Sequence, residues 1–280
     1  MSITAHCLIR NEENFIWYAI NSVLSFVDKV IVFDTGSTDR TVKIVKEIQK
    51  TPLGKEKLVF EERGVIDRKA HTMLRNEMIQ MTQTDWFMIL DGDEVWPKDE
   101  IEAIIKEIED LEVTKKCILS KFILSAGDIY HYSNWGQYKY AWGLRGNYTP
   151  RFIKNIKGVY WQGEFDGDTL YLGREKLVNK DTCFVSSHYF FHFGILPRSS
   201  RDYEVTLGHG RRAVNYTLLG FLGHGRKLSK ELKLPEVLFG EKPNIVPKVT
   251  SRLTLVDSIK NFLAKYLRFS FLGRFSTLDF

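Results

Sequence analysis

The chain has 280 residues, 44% of them hydrophobic and 27% charged, with a formal net charge of +5. That length suffices to bury a substantial core in one large domain or one domain with an appendage, and the composition is that of a soluble globular protein rather than a disordered or fibrous one. So modest a charge makes no case for a nucleic-acid partner. Cys7, Cys117 and Cys183 are widely spaced and odd in number, which argues against a disulfide framework and for a reducing, cytoplasmic compartment. Met1 runs straight into Ile3-Thr4-Ala5-His6-Cys7-Leu8-Ile9 without a basic, apolar leader. No uninterrupted apolar run reaches about 18 residues, so no spanning helix is expected.

The first hundred residues alternate short apolar runs with longer periodic segments, the signature of a parallel sheet covered by helices. Strands are expected at 3–9, 29–33, 57–61 and 86–90. Helices are expected over 12–26, after the capping residues Ser37-Thr38-Asp39, over 69–81 and over 99–111. From Cys117 to His192 the texture turns to aromatics and glycine, read as further strands joined by long loops. Tyr130-His131-Tyr132-Ser133-Asn134-Trp135-Gly136-Gln137-Tyr138 reads either as a binding loop, since aromatic faces with polar tips suit sugars, or as a loop packed on the protein's own surface. The divisions this suggests are 1–115, 116–215 and 216–280.

Asp91-Gly92-Asp93-Glu94 follows the apolar run Trp86 to Leu90, so three carboxylates leave the end of a buried strand together. Two carboxylates about 5 Å apart repel by about 3 kcal/mol at an effective dielectric of about 20, and a divalent cation is a natural way to keep both ionised. Hard oxygen ligands favour Mg²⁺ or Mn²⁺. A solvated acidic turn before the next helix is the plain alternative. Open sheets bind ligands outside the carboxyl ends of their strands, and that rule gathers Arg10-Asn11-Glu12-Glu13, Asp34-Thr35-Gly36-Ser37 and Asp91 to Glu94 onto one rim.

Three blocks in order, Cys7-Leu8-Ile9-Arg10-Asn11-Glu12-Glu13, then Ile31 to Thr41 with Asp34-Thr35-Gly36-Ser37-Thr38-Asp39, then Trp86 to Glu94, resemble a family 2 type glycosyltransferase. The resemblance implies an α/β fold of GT-A (Rossmann-like) type, with a mixed, mostly parallel sheet flanked by helices and a C-terminal helical extension. It implies a nucleotide-diphosphate sugar donor (a UDP- or GDP-sugar) and a Mn²⁺ or Mg²⁺ cofactor. Asp91 and Asp93 match the family's Asp-x-Asp motif, in which the second carboxylate ligates the metal and the first reaches the ribose or the metal's water. Donor binding falls by the same resemblance to Leu8, Arg10, Asn11, Glu13, Asp34, Gly36, Arg75 and Asp91. Metal binding falls to Asp91, Asp93 and, by its place late in the domain before Phe193-Gly194, His192. Many relatives carry an acidic residue where this chain has Thr35. A helix-surface arginine is the plain reading of Arg75, and a packed core residue that of His192. His188, four residues before His192, would share its face on a strand.

The acceptor side is expected in Trp161-Gln162-Gly163-Glu164-Phe165-Asp166-Gly167-Asp168, similar to the region where such transferases keep the acidic residue that deprotonates the acceptor. Alternation along an extended segment puts Glu164, Asp166 and Asp168 on one face, with Asp166 and Asp168 ranked first; an acidic hairpin turn is the alternative. Arg198, Arg201, Arg211 and Arg212 form a loose basic group suited to a diphosphate or a lipid phosphate, or to a solvated helix face. Between Lys248 and Phe280 stand six basic residues against two acidic ones, with Leu253, Val256, Ile259, Phe262, Leu263, Tyr266 and Leu267 on one helical face. Such a segment suits peripheral contact with an anionic membrane, or docking onto the catalytic domain or a second copy.

The reading is a metal-dependent, inverting glycosyltransferase whose acceptor is a glycan, a lipid-linked molecule or a peptide. Its rivals are a nucleotide- or glycan-binding protein that keeps the fold without the chemistry, and a nucleotidyltransferase. The last lacks its glycine-rich, lysine-bearing loop, because Arg10 to Glu13 occupy that place.

Overall fold

A computed structural model describes residues 1–133, 137–165, 167–201 and 226–252. Its first half follows the sequence pattern: β1 (Ile3–Ile9), α1 (Ile16–Val23), β2 (Lys29–Asp34), α2 (Thr41–Lys50), α3 (Pro52–Lys57), β3 (Leu58–Glu62), α4 (Arg68–Met81), β4 (Trp86–Ile89), β5 (Glu94–Val95) and α5 (Lys98–Glu109). β1, β2 and β4 are near-continuous apolar runs because helices cover both faces of the sheet there. α2 buries Ile44, Val45 and Ile48 and turns its lysines outward; Asp39 accepts from the Thr41 amide at its start. Asp67 caps α4 by accepting from the Ala70 amide. The short α3 went unforeseen, although Thr51-Pro52 carries a start signal: the Thr51 hydroxyl accepts from the Gly54 amide and Pro52 fills the first turn.

The second half contributes β6 (Cys117–Ala126), β7 (Asp128–Ser133), β8 (Tyr138–Lys139), β9 (Arg145–Gly146), β10 (Tyr148–Lys154), β11 (Val159–Gln162), β12 (Thr169–Leu172), β13 (Glu175–Lys176), β14 (Cys183–His192) and β15 (Arg226–Lys227). A ten-stranded sheet runs β15-β7-β6-β10-β4-β1-β2-β3, with β14 joining β6 and β5. β3, β2, β1 and β4 are mutually parallel, whereas β10 lies antiparallel to both β4 and β6. The insertion of β10 makes residues on either side of the expected boundary at 115 share one mixed sheet flanked by helices, the GT-A type of α/β architecture.

Residues 226–252, expected within a helical extension, carry β15 and a single 3-10 turn at Glu236–Phe239. They pack on the main body: Leu238 and Val246 join its core, and the Tyr18 hydroxyl donates to the Pro247 carbonyl at 2.7 Å. The amphipathic stretch from 253 onward lies outside the described residues. Among the described residues no helix is long and apolar enough to cross a membrane. Cys7, Cys117 and Cys183 are free and buried.

Candidate active site

Parallel registration sets the rim. Ile9 pairs with Asp34, so β1 and β2 end level, while β4 ends opposite His6 and the chain beyond it runs on to bring Gly92 against Ile9. The Thr35 amide and hydroxyl both donate to the Ile9 carbonyl, at 2.8 and 2.9 Å, so the loop after β2 is tied to the end of β1. Asp34 is buried and accepts from the amides of Gly36 (3.0 Å) and Ser37 (2.9 Å) and from the Ser37 hydroxyl. Asn11 takes the left-handed backbone conformation (φ 54°), donates from its amide to Ser37 Oγ and accepts from the Thr38 amide, both at 2.8 Å. Two glycines are needed here for space. At Gly36 (φ 89°) a Cβ would lie 2.9 Å from the Val65 nitrogen, and at Gly92 it would lie 2.7 Å from Glu12 Cγ and 3.1 Å from Ile9 Cγ2.

Of the carboxylates after β4, Asp91 is the exposed one, with 40% of its side chain open. Arg151 Nη2 donates to it at 3.2 Å, and Arg75 Nη2 stands 3.9 Å away. Burial works against its charge, but these two guanidinium groups outweigh burial and hold its pKa below the ordinary value. Glu94 is fully buried and receives Arg151 Nη2 directly; burial nevertheless raises it to about 7. Arg151 reaches both from β10, the antiparallel neighbour of β4.

Asp93 is 2% exposed and faces a different set. Its carbonyl accepts from the Phe193 amide at 2.9 Å, and His192 pairs in register with Glu94, so β14 is tied to the motif. His192 Nε2 lies 3.6 Å from Asp93 Oδ2. A side chain at Gly194 would strike that ring at 2.6 Å. Burial lowers the His192 pKa, but the surrounding carboxylates, Asp93 foremost, leave it raised overall. Arg198 Nη1 donates to Asp93 Oδ2 at 3.0 Å and to Glu12 Oε1 at 2.8 Å.

These residues fit a divalent cation. Two ligands side by side on one octahedral ion stand about 3 Å apart, and Asp93 Oδ2 and His192 Nε2 are 3.6 Å apart. Among the described residues no three His, Cys, Asp or Glu side chains are arranged around a common metal position. Mg²⁺ sites that hold substrate phosphates need only one or two protein carboxylates, the phosphates and water completing the shell.

Across the rim, Glu164, Phe165, Gly167 and Asp168 lie between β11 and β12, with the Gly167 amide donating to the Glu164 carbonyl. Gly163 has φ 112°, so the chain reverses there and the expected alternation of an extended segment does not apply. Glu164 is exposed and Asp166 lies outside the described residues. Asp168 points inward, its Oδ2 3.5 Å from Arg75 Nε and 3.9 Å from His71 Nδ1. Arg75 also stacks on Trp161, 4.6 Å from the ring centroid, while the Asn76 side chain and the Trp161 backbone exchange two hydrogen bonds.

The structure thus brings Asp91, Asp93, His192, Arg75 and Asp168 together. Leu8 packs beneath the rim with Ile31, Phe33 and Met78, and Arg10 is exposed on it. The Glu13 carboxylate is engaged by Arg40 and by the Ser200 amide, which hold it at about 2 against the effect of burial. His188 does not share the His192 face: β14 bulges between Val185 and Tyr189, and His188 faces α5, bonding Glu100 at 2.7 Å. Tyr130 is packed inward with its hydroxyl donating to Thr250; Asn134 to Gly136, Arg211 and Arg212 lie outside the described residues. Arg151 and Glu12 went unassigned in the sequence. For Arg151 the one signal was a charged residue set between Pro150 and the apolar pair Phe152-Ile153.

Known proteins similar to this chain are glycosyltransferases. The chain is 36% identical over 105 residues to an uncharacterized glycosyltransferase of Rickettsia felis, spanning 36% of this chain and 33% of that one. It is 27% identical over 124 residues to the glycosyltransferase SunS of Bacillus subtilis, spanning 44% and 27% respectively. The chain therefore aligns with a third or less of the length of these relatives. The solved structure of S. aureus TarS 1-349 in complex with UDP-GlcNAc superposes with a TM-score of 0.49 at 17% identity, covering 78% of this chain and 67% of that one. Residues 8–179 match the family described as Glycosyl transferase family 2, and the chain belongs to that family of glycosyltransferases.

Proposed function

We propose that this glycosyltransferase moves a sugar from a nucleotide-diphosphate donor, a UDP- or GDP-sugar, to an acceptor hydroxyl with Mn²⁺ or Mg²⁺, inverting the anomeric centre. The observation that carries the reading is the 3.6 Å approach of His192 Nε2 to Asp93 Oδ2 at the carboxyl end of the parallel strands. Asp93 and His192 would hold the ion, which when bound supplies positive charge against the diphosphate leaving group. Leu8 in β1, Asp34 at the end of β2, and Arg10, Asn11, Glu13 and Gly36 in the loops that follow shape the nucleotide site, whether by contact or by holding one another in place. Asp91 serves the ribose or a water on the ion and anchors Arg75 and Arg151.

Asp168 is the favoured base among Asp168, Asp166 and Glu164. It accepts the proton of the acceptor hydroxyl as that oxygen attacks the anomeric carbon from the face opposite the diphosphate, and the single displacement inverts the centre. Its inward position beside Arg75, which also approaches Asp91, supports placing base and donor carboxylate at one reaction centre. The acceptor is a glycan, a lipid-linked molecule or a peptide. Peripheral contact through 248–280 at the cytoplasmic membrane face would suit the lipid-linked case.

The test is incubation with a panel of UDP- and GDP-sugars and Mn²⁺, reading released nucleotide diphosphate. Wild type is expected to turn over at least one donor, and Asp93→Ala none while keeping its fold. Undiminished release by Asp93→Ala would overturn the reading.

A further inference from the structure

Asp93, the carboxylate that the proposed function gives to the cation, already has a cationic partner. Arg198 Nη1 donates to Asp93 Oδ2 at 3.0 Å and to Glu12 Oε1 at 2.8 Å. All three residues are buried: Arg198 is 8% exposed, Glu12 5% and Asp93 2%. Charge-assisted hydrogen bonds in such surroundings are among the stronger ones, and a guanidinium left without its carboxylates there would be costly.

The backbone that carries Arg198 is fixed. The Asn14 side chain donates to the Pro197 carbonyl and the Asn14 amide to the Arg198 carbonyl, each at 2.9 Å. Ser199 Oγ donates to Asp39 Oδ2 at 2.5 Å, and the Ser200 amide donates to Glu13 Oε1 at 2.8 Å. Among the described residues the head of that side chain reaches two carboxylates at once. The oxygen it shares with the cation site is the one 3.6 Å from His192 Nε2. A dication on Asp93 Oδ2 and His192 would sit about 2 Å from that oxygen, so it and the Arg198 head would repel at close range.

We propose that Arg198 is the resident counter-cation of the donor site: it neutralises Asp93 until the metal–nucleotide complex arrives, then yields Asp93 and stays with Glu12. This deepens the proposed function and rests on Asp93 being the metal's carboxylate. Two consequences follow from the charges. A bare cation binds weakly, since it must displace Arg198 without bringing any negative charge of its own. A cation carrying a nucleotide diphosphate brings that charge with it, so metal and nucleotide bind cooperatively. Glu12 gains a role as the carboxylate that retains the displaced guanidinium, a reason for an acid between β1 and α1 that nucleotide binding alone does not supply.

The experiment measures Mn²⁺ affinity by electron paramagnetic resonance, alone and with UDP or GDP, for wild type, Arg198→Gln and Asp93→Asn. Arg198→Gln should bind Mn²⁺ alone about tenfold more tightly than wild type, as expected when a competing charge-assisted hydrogen bond is removed. The gain in Mn²⁺ affinity on adding nucleotide should shrink by a similar factor. Unchanged or weaker Mn²⁺ binding by a folded Arg198→Gln would overturn the proposal. If Asp93→Asn binds Mn²⁺ and nucleotide as wild type does, the metal assignment itself fails, which is a separate outcome.

A second measurement removes dependence on the Arg198 variant and on simple charge removal. In arginine-labelled protein the guanidinium resonance of Arg198, assigned by its change in Asp93→Asn, should move on adding Mg²⁺ with UDP or GDP in wild type. A wild-type resonance that stays in place when nucleotide and metal are shown to bind would also overturn the exchange.

Discussion

Arg75 Nε lies 3.5 Å from Asp168 Oδ2, while Nη2 of the same guanidinium lies 3.9 Å from Asp91. Both separations exceed those of charge-assisted hydrogen bonds, so charge and the stack on Trp161 hold the group between the two carboxylates. Arg75→Gln should lower kcat/KM for transfer by about a hundredfold, the scale on which misplacing a reacting group costs rate. Arg75→Lys should recover only part, because an ammonium lacks the planar fork that faces two acids and stacks at once. Steady-state kinetics with donor and acceptor varied separately checks this. Wild-type constants in the Gln variant would show that the bridge is incidental.

Gly92→Ala should destabilise the protein by about 1–3 kcal/mol, the usual cost of forcing a group into filled space. Its Cβ would press on Glu12 Cγ and Ile9 Cγ2. Glu12 is also a partner of Arg198, so nucleotide binding should weaken along with stability. Urea denaturation at pH 7 reads the first effect and calorimetric titration the second.

His6 predicts an acid dependence. Its ring is buried, stacks on Phe87 at 4.7 Å and bonds Thr82 Oγ1 at 2.6 Å; burial first, and the charge of Arg75 second, lower its pKa to about 3. Between about 6.5 and 3 the unfolded chain binds a proton that the folded protein refuses. Stability therefore falls as pH drops through that window, by at most about 1.4 kcal/mol per pH unit from this group. His6→Phe should flatten that limb in denaturation measured from pH 7 to pH 4. An unchanged slope would mean that His6 is protonated in the folded protein.

For the C-terminal segment, full-length protein should float with anionic liposomes and a truncation ending at Pro247 should not. Equal behaviour of the two would remove 248–280 as the anchor.

Much of the fold was legible because its cause is local. The continuous apolar runs of β1, β2 and β4 and the capping residues Ser37-Thr38-Asp39 mark buried parallel strands and the helices between them. The rim followed from the same pattern, since parallel strands present their carboxyl ends on one side of the sheet. What stayed hidden depends on partners distant in sequence. Arg151 reaches Asp91 and Glu94 from a strand inserted about 60 residues later, and Arg198 joins Asp93 to Glu12 from still farther along. His188 and His192 look equivalent by spacing, but a bulge in β14 sends one to α5 and the other to the site. The acidic run around Asp168 could not be resolved by alternation because Gly163 turns the chain.

The most direct test of the central claim is Mn²⁺-dependent binding of UDP and GDP, measured calorimetrically for wild type, Asp93→Asn and His192→Ala. The account predicts metal-dependent binding of one nucleotide by wild type, its loss in Asp93→Asn, and at least about tenfold weaker Mn²⁺ dependence in His192→Ala. Metal-dependent binding of wild-type strength in folded Asp93→Asn would contradict it.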